Sequence, residues 1–144
     1  MTRVDFYLLP GQDPQTRSAY ACRIAEKAYR TGHKVFILAA DDTEAKILDD
    51  LLWTFRQGSF IPHILAENYP NDPMVPIVIG TSEAPESFDE LLINLNPNPP
   101  ENWQQIHRIA EVINEVPEIR QAGRKKYRIY QEQEAELHTH KIES

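Results

Sequence analysis

Residues 3–38 read RVDFYLLPGQDPQTRSAYACRIAEKAYRTGHKVFIL, and this stretch decides the fold class. It begins with a short apolar run rich in β-forming residues, which a Pro-Gly pair ends. A helix is predicted next, because Asp13 is a good N-cap, Pro14 suits the first helical position and Gly32 suits the position just past the end. The final run, VFIL, is typical of a strand buried on both faces of a parallel sheet. Strand, helix and strand in this order predict a βαβ unit.

The same alternation continues toward the middle of the chain. A second helix is predicted to begin at Asp42 as its N-cap and to end near Gly58, with an apolar stripe facing the core. The stripe consists of Ala45, Leu48, Leu51, Leu52 and Phe55. Residues 56–76 contain four prolines and predict a long surface loop around a short extended piece. Residues 76–79 and 91–94 predict further short strands.

The last third of the chain is predicted to be mainly helical. The proline-rich segment 96–100 ends the sheet and opens a helix with apolar residues at helical spacing. These residues are Trp103, Ile106, Ile109, Ala110 and Ile113. Pro117 is predicted at the first position of a last helix, and the sequence from Gln131 onward is typical of a polar tail. We therefore expect a single α/β domain over residues 1–136, with a mostly parallel sheet flanked by helices, and a polar tail over residues 137–144.

Length and composition restrict the class of protein. The chain has 144 residues, a net charge of −7 and an isoelectric point near 5.2. This length suits one domain with a real core, and the acidity argues against nonspecific binding of duplex DNA, which normally needs a basic surface. The single cysteine, Cys22, excludes an internal disulfide and is predicted to fill the core. The first residues lack the apolar segment of a signal peptide, so we expect a cytoplasmic location and no membrane partner.

The sequence lacks the motifs that normally carry chemistry. The loop after the first strand, residues 9–13, reads LPGQD and contains neither G-x-G-x-x-G nor G-x-x-x-x-G-K-[ST], so it offers no phosphate cradle. His138 and His140 form a close pair in the tail, but no further ligand stands near them for a metal site. No Ser/His/Asp or Cys/His set can be argued from spacing. We expect no nucleotide site, no cofactor, no metal ion and no catalytic centre.

Residues 120–128 carry five of the fifteen Lys and Arg side chains and no acid, although the chain as a whole is acidic. A like-charged cluster raises its own electrostatic energy, which favours an anionic partner at this place. On a helix, several of these side chains share one face. We call this set the basic stripe, and its members are Arg120, Arg124, Tyr127 and Arg128. The alternative is a solvated helix face whose arginines pair with the nearby Glu132, Glu134 and Glu136.

Two aromatic residues have no obvious place in the predicted core. Leu51, Leu52 and Phe55 already fill the inward stripe of their helix, so Trp53 stands outside it. Phe60 enters the proline-rich loop, where it has no strand face to occupy. The two rings either close an edge of the core or form a surface for a protein partner, where Trp is favoured.

Four stretches of the sequence are similar to stretches of a known protein family, and they occur in the same order over nearly the whole chain. They are Phe6 to Leu9, Ala28 to Val35, Leu52 to His63, and Arg124 to Tyr130. Together they resemble the chi subunit family of bacterial DNA polymerase III. The resemblance implies a Rossmann-like α/β fold without nucleotide chemistry, in agreement with the loop at residues 9–13. It also implies a non-catalytic adaptor in the clamp-loader assembly of the replicative polymerase.

The resemblance implies two binding surfaces. Members of the family bind the acidic C-terminal tail of the single-stranded-DNA-binding protein. The matching positions here are Val116, Arg120, Arg124, Tyr127 and Arg128. Through another surface, members bind the psi subunit or a competing helicase-like protein. The matching aromatic residues are Trp53 and Phe60. DNA would then be reached only indirectly. The residues alone leave two other functions open: a nucleotide-using α/β enzyme, and direct binding of single-stranded DNA by the basic stripe.

An Asp-rich tail that ends in an apolar residue suggests a division of roles within the basic stripe. Arg124 would bind the terminal carboxylate, because a guanidinium pairs with a carboxylate through two hydrogen bonds. Tyr127, with Val116 and Ile119, would wall an apolar pocket, while the remaining arginines would screen the aspartates. Gly123 lies in the middle of this helix, where glycine costs about 1 kcal/mol relative to alanine.

Overall fold

The computed structural model describes residues 1–54, 61–71 and 75–143. Its strands are β1 (Arg3–Leu8), β2 (Val35–Leu38), β3 (His63–Leu65), β4 (Ile77–Gly80), β5 (Leu91–Asn94), β6 (Arg108–Ile113) and β7 (Glu136–Lys141). Its helices are α1 (Pro14–Arg30), α2 (Asp42–Thr54) and α3 (Pro117–Glu132), and short 3-10 turns lie at Ala66–Asn71 and Trp103–Gln105. The strands form one sheet in the order β3-β4-β2-β5-β6-β1-β7, and each pair of neighbours runs parallel. The predicted fold class, α/β with a parallel sheet flanked by helices, is confirmed.

Apolar side chains pack on both faces of the sheet. On one face, α1 packs against β2, β5 and β6, while α2 packs against β3 and β4. On the other face, α3 packs against β6 and β7, and the rings of Trp103 and Tyr130 complete the core. Strands β2, β4 and β5 are buried at every position, as expected for parallel strands covered on both sides. None of the helices in the described ranges is long and apolar enough to cross a membrane.

Helix α1 begins and ends as predicted. The Asp13 carboxylate accepts a hydrogen bond of 2.9 Å from the Gln15 amide, and Pro14 is the first helical residue. Just past the end, Gly32 has a φ of 84°, a conformation that side chains with a Cβ rarely adopt. The local signals at both ends therefore set the length of the helix.

The start of α2 corrects the predicted N-cap by one residue. Asp41, and not Asp42, accepts a hydrogen bond of 2.8 Å from the Glu44 amide. The Glu44 carboxylate in turn accepts one of 2.8 Å from the Ala40 amide, which completes a reciprocal capping pattern. Asp42 is instead the first helical residue, where its negative charge suits the helix dipole.

The predicted inward stripe of α2 and the loop after it are partly within the described residues. Leu51 is half-buried, and the fully buried members of the stripe are Ala45, Leu48 and Leu52. Phe55 and Gly58 lie outside the described residues. In the segment predicted as a long loop, residues 63–65 form the edge strand β3, which pairs with β4 and confirms the expected extended piece.

The helix predicted around residues 103–113 is wrong. Only a 3-10 turn forms at Trp103–Gln105, and Arg108–Ile113 is strand β6, between β5 and β1. A short apolar run fits helical and buried-strand spacing equally well, and here three β-branched residues favour the strand. The strand buries side chains on both faces, including Ala110 and Val112 toward α1 and Ile113 toward α3.

The prediction that the chain ends in a polar tail is also wrong for residues 136–141. They form β7, which pairs in parallel with the whole of β1 at the edge of the sheet. The strand crosses the predicted boundary between residues 136 and 137. It was missed because an edge strand is covered on one side only, so Leu137 is its single large apolar residue and the rest of it is polar.

Candidate functional site

A groove of about 220 Å³ lies between α3 and the strands β1, β6 and β7. We call it the α3 groove. Its lining residues are Phe6, Leu8, Ile113, Arg120, Gly123, Arg124, Tyr127 and Thr139. The structure thus brings three members of the basic stripe together around one opening. The strands supply an apolar floor, which sequence reasoning missed because it comes from segments far apart in the chain.

The roll of α3 about its axis is set by buried polar contacts. Lys126 donates hydrogen bonds of 2.6 Å to the Glu111 carboxylate and 2.8 Å to the Asn96 carbonyl oxygen. The Tyr130 hydroxyl donates to the second oxygen of Glu111 at 2.6 Å, and the Asn94 amide donates to the same oxygen at 2.8 Å. Because residues 126 and 130 lie one turn apart on the inward side, the flank that carries the arginines faces the groove.

The burial of Lys126 reduces the number of exposed cations in residues 120–128. The segment 120–128 contains five Lys and Arg residues. The side chain of Lys126, however, is only 2% exposed, and its charge is neutralised by Glu111. The four exposed cations are Arg120, Arg124, Lys125 and Arg128. The buried pair belongs to the core, so it adds no charge to the surface of α3.

Gly123 explains how α3 comes so close to the sheet. A Cβ atom added at this position would lie 3.0 Å from Cδ1 and 3.3 Å from Cγ1 of Ile113. Such contacts are tighter than ordinary packing, so glycine allows the helix to settle onto β6 despite its low helix propensity. The glycine in the middle of the helix therefore has a packing role and lies on the wall of the α3 groove.

The aromatic wall of the groove is built by two rings. The centroids of Phe6 and Tyr127 lie 5.3 Å apart at an interplanar angle of 56°, a favourable tilted arrangement. Tyr127 is 36% exposed, and Leu8 is exposed to the same extent. An apolar side chain that enters the groove would therefore contact carbon on several sides.

The alternative in which the arginines pair with nearby glutamates is not observed. Within residues 1–54, 61–71 and 75–143, the ion pairs do not include Arg120, Arg124 or Arg128. Glu136 instead accepts a hydrogen bond of 2.6 Å from His138. The exposed guanidiniums are thus available to an anionic ligand.

Three residues predicted at the site lie outside the groove. Val116 is half-buried and precedes α3 as its N-cap residue, and Arg128 is exposed on α3 beyond the groove's lining residues. Ile119, expected in the pocket wall, packs against the core on the α3 face of the sheet. The groove therefore uses Phe6, Leu8 and Ile113 where the sequence suggested Val116 and Ile119.

The second predicted surface lies at the end of α2. Trp53 is 54% exposed. Its ring meets that of His63 edge to face, with 4.8 Å between the two ring centroids. His63 is itself held by the Asp49 carboxylate at 3.1 Å and by the Ile61 carbonyl oxygen at 2.6 Å. Phe60 lies outside the described residues. The Trp53 ring therefore lies more than half exposed at the surface, with one side against His63.

The carboxyl ends of the central strands are the usual ligand site of an open α/β sheet. Here the buried Arg17 of α1 donates hydrogen bonds of 2.9 Å to the Val112 carbonyl oxygen and 3.0 Å to the Leu95 carbonyl oxygen. Its guanidinium also lies 3.6 Å from the Glu44 carboxylate. Burial lowers the pKa of Arg17. This part of the crevice is therefore filled by a side chain of the protein itself.

One of the two tail histidines, His140, takes part in a cluster around Asp5. His140 lies 2.8 Å from one Asp5 oxygen, and Arg108 donates to the other at 2.9 Å. Arg3 donates to the same carboxylate. Burial acts to raise the pKa of Asp5, but the hydrogen bonds from His140, Arg3 and Arg108 outweigh it and hold the pKa below its ordinary value of 3.8. In the described part of the chain, no group of three or more His, Cys, Asp and Glu residues is placed to hold a metal ion.

Cys22 lies in the core, as predicted, and is fully buried on α1. Burial raises the pKa of its thiol to about 12. A thiol in this state is a poor nucleophile at neutral pH.

Comparison with known proteins shows the family to which the chain belongs. The family described as DNA polymerase III chi subunit, HolC, matches residues 1–138. A DNA polymerase III subunit chi of Pseudomonas aeruginosa is 45% identical over 142 residues, which are 99% of this chain and 98% of that protein. The DNA polymerase III subunit chi of Escherichia coli is 25% identical over 134 residues, which are 90% of this chain and 91% of that protein. That of Haemophilus influenzae is 26% identical over 123 residues, which are 85% of this chain and 85% of that protein. The chain belongs to the DNA polymerase III chi subunit family.

Proposed function

We propose that the chain is a non-catalytic adaptor of the DNA polymerase III holoenzyme, and that its α3 groove binds the acidic C-terminal tail of the single-stranded-DNA-binding protein. The observation that carries this proposal is the convergence of Arg120, Arg124 and Tyr127 on one groove with an apolar floor. Family membership supports the holoenzyme as the assembly in which the adaptor works. Such an adaptor acts in the cytoplasm, where the chromosome is replicated.

The α3 groove offers complementary chemistry to each part of such a tail. Arg124 binds the terminal carboxylate through its guanidinium, which is suited to two parallel hydrogen bonds. The terminal apolar side chain enters between Tyr127 and the floor formed by Phe6, Leu8 and Ile113. Arg120 screens the preceding aspartates from within the groove.

Arg128 contributes from outside the groove. It is exposed on the same helix, so it meets aspartates farther from the end of the tail. Its contribution is mainly long-range attraction, which salt screens over about 10 Å at 0.1 M ionic strength. The affinity for the tail therefore falls as salt is added. Arg128 has a larger effect on this salt dependence than on the binding of the terminal residue.

A second partner binds at the end of α2 in this proposal. Trp53 is the described residue of that surface, and its exposed ring suits an interface anchor for the psi subunit or a helicase-like protein. The ring lies on α2, which covers the other face of the sheet from α3. The two partners can therefore bind at the same time and be linked through the adaptor.

Calorimetric titration with a short Asp-rich peptide that ends in phenylalanine tests the groove. Substitution Arg124→Ala is expected to cost on the order of 1–3 kcal/mol of binding free energy, since it removes a charged hydrogen-bonded contact. The matched control is Lys125→Ala, which removes an exposed cation from the next position without changing the lining of the groove. Equal affinity of the wild type and Arg124→Ala would overturn the assignment.

A further inference from the structure

A second and larger groove, of about 420 Å³, lies on the opposite face of β1 from the α3 groove. It runs between α1 and the strands β1, β5 and β6, and we call it the α1 groove. Its lining includes two tyrosines and several charged residues, namely Tyr7, Tyr20, Arg23, Lys27, Glu90 and Arg108. Consecutive residues of β1 point to opposite faces, so Phe6 lines one groove and Tyr7 lines the other.

The α1 groove opens onto an uncovered part of the sheet. Helix α1 packs on β2, β5 and β6, so several side chains of β1 and β7 on this face remain partly exposed at the edge, although Asp5 is buried. The side chains of Arg108 and Arg3 are 46% and 40% exposed, and that of His140 is 39% exposed. A ligand in the groove can therefore extend across the strand edge.

Three aromatic rings contact one another at this groove and its edge, and we call them the aromatic platform. The ring of Tyr7 stacks on His140 at 4.9 Å with an interplanar angle of 16°, and it meets Tyr20 at 5.6 Å. The Arg23 guanidinium lies 5.6 Å from the centroid of the Tyr20 ring. Tyr7 and Tyr20 are both half-buried, so part of each ring is open to a ligand.

The charge around the platform is positive, although the whole chain carries −7. Arg23 and Lys27 are exposed and take part in no ion pair within the described residues. Arg108 shares the carboxylate of Asp5 with Arg3, so two guanidiniums face one buried acid. Glu90 is the acid among the residues that line the groove. The cations therefore outnumber the acids at this place, and an anionic ligand is favoured.

We propose that the α1 groove binds single-stranded nucleic acid. Arg23, Lys27 and Arg108 contact phosphates, while bases stack on Tyr20 and Tyr7. Interleaved cations and aromatic rings are the combination that single-strand sites use, because every base has a π face and every linkage carries a charge. A peptide of acidic residues alone would use the cations but leave the rings without a role, because it has no flat apolar group to stack on them. A duplex is disfavoured because the rest of the surface is acidic.

Fluorescence anisotropy with a labelled oligothymidylate and the full chain tests this proposal at low salt. Tyr20→Ala is expected to weaken binding roughly five- to 150-fold, the range for loss of one stacked base. Lys27→Ala is expected to weaken binding and to reduce the slope of log affinity against log salt by about 0.7, as for one phosphate contact on a single strand. Tyr20→Phe keeps the ring and is expected to keep the affinity, which separates stacking from a loss of folding.

Two controls distinguish this site from the proposed peptide site. Lys46→Ala removes an exposed cation from α2, away from the α1 groove, and is expected to leave oligonucleotide affinity unchanged. Arg124→Ala is expected to leave it unchanged as well, whether or not it abolishes peptide binding. Absence of oligonucleotide binding at low salt would overturn the proposal. So would binding that depends on Arg124 but not on Lys27 or Tyr20, or displacement of the oligonucleotide from this groove by an Asp-rich peptide.

Discussion

Lys126 donates a 2.6 Å hydrogen bond to the carboxylate of Glu111 inside the core, although it belongs to the most basic segment of the chain. The pair joins α3 to β6, the strand that supplies Ile113 to the floor of the α3 groove. The contact therefore determines which flank of the helix carries arginines into the groove. The tail-binding surface that we propose therefore depends on the buried charge of Lys126, which is not itself part of that surface.

We predict that Lys126→Met lowers the free energy of unfolding by about 3–5 kcal/mol, because it leaves the buried Glu111 charge without its partner. Lys125→Met changes an exposed neighbour and is expected to stay within about 0.5 kcal/mol of the wild type. Urea denaturation followed by circular dichroism measures both. Adding Glu111→Gln to Lys126→Met should recover part of the loss, and no recovery would argue against an unpaired charge as the cause.

Acid should destabilise the protein partly through Asp5. Its pKa lies below the ordinary value of 3.8 in the folded state, so the unfolded chain binds this proton more readily. Asp5 therefore contributes its full stabilisation at pH values above 3.8, its ordinary pKa. This stabilisation is lost as the pH falls through the lower pKa that Asp5 has in the folded protein. Denaturation curves between about pH 5 and pH 2 should show a weaker pH dependence for Asp5→Asn than for the wild type. Parallel dependences in the two proteins would contradict the prediction.

Trp53→Ala should separate the second partner from the first. Because the ring is 54% exposed, its loss is expected to lower the free energy of unfolding by only about 0.5–1.5 kcal/mol. In a pulldown with purified psi subunit or helicase-like partner, Trp53→Ala should lose that partner and keep the acidic peptide. Arg124→Ala should show the reverse pattern. Loss of both partners by either variant, with folding intact, would argue against two separate surfaces.

Cys22 should not react with thiol reagents while the protein is folded. Burial raises the pKa of its thiol to about 12, so at pH 8 the thiolate is scarce as well as inaccessible. An aromatic disulfide reagent should therefore release chromophore only after guanidinium is added. Rapid reaction of the native protein would show that α1 opens locally or packs less tightly than described.

The sequence predicted most of the fold because its local signals agreed with one another. Asp13, Pro14 and Gly32 mark the ends of α1, and the continuous apolar run of β2 indicates a parallel strand covered on both faces. Apart from the one-residue shift of the N-cap of α2, the errors occur where the local pattern is ambiguous. Arg108–Ile113 fits a helix by spacing and forms a strand because it lies between β5 and β1. β7 depends on pairing with β1, and its His140 hydrogen-bonds to the buried Asp5 carboxylate.

The candidate site was predictable only in part. Helical spacing was enough to group Arg120, Arg124 and Tyr127 on one face of α3. The inward turn of Lys126 could not be predicted, because its partner Glu111 lies in the strand that the sequence assigned to a helix. For the same reason the floor residues on β1 and β6 were missed.

In the proposed function, Arg124 binds the terminal carboxylate of an acidic tail beside the ring of Tyr127. A double-mutant cycle tests this pairing directly, with the wild type and Arg124→Ala each titrated calorimetrically against the Asp-rich peptide as a free acid and as a C-terminal amide. Amidation should weaken binding to the wild type by about 1.5–3 kcal/mol, the range for a hydrogen bond to a charged group. It should have little effect on Arg124→Ala, because the partner of the carboxylate is already absent. Equal losses on amidation in both proteins would contradict the claim, since the carboxylate would then be bound elsewhere.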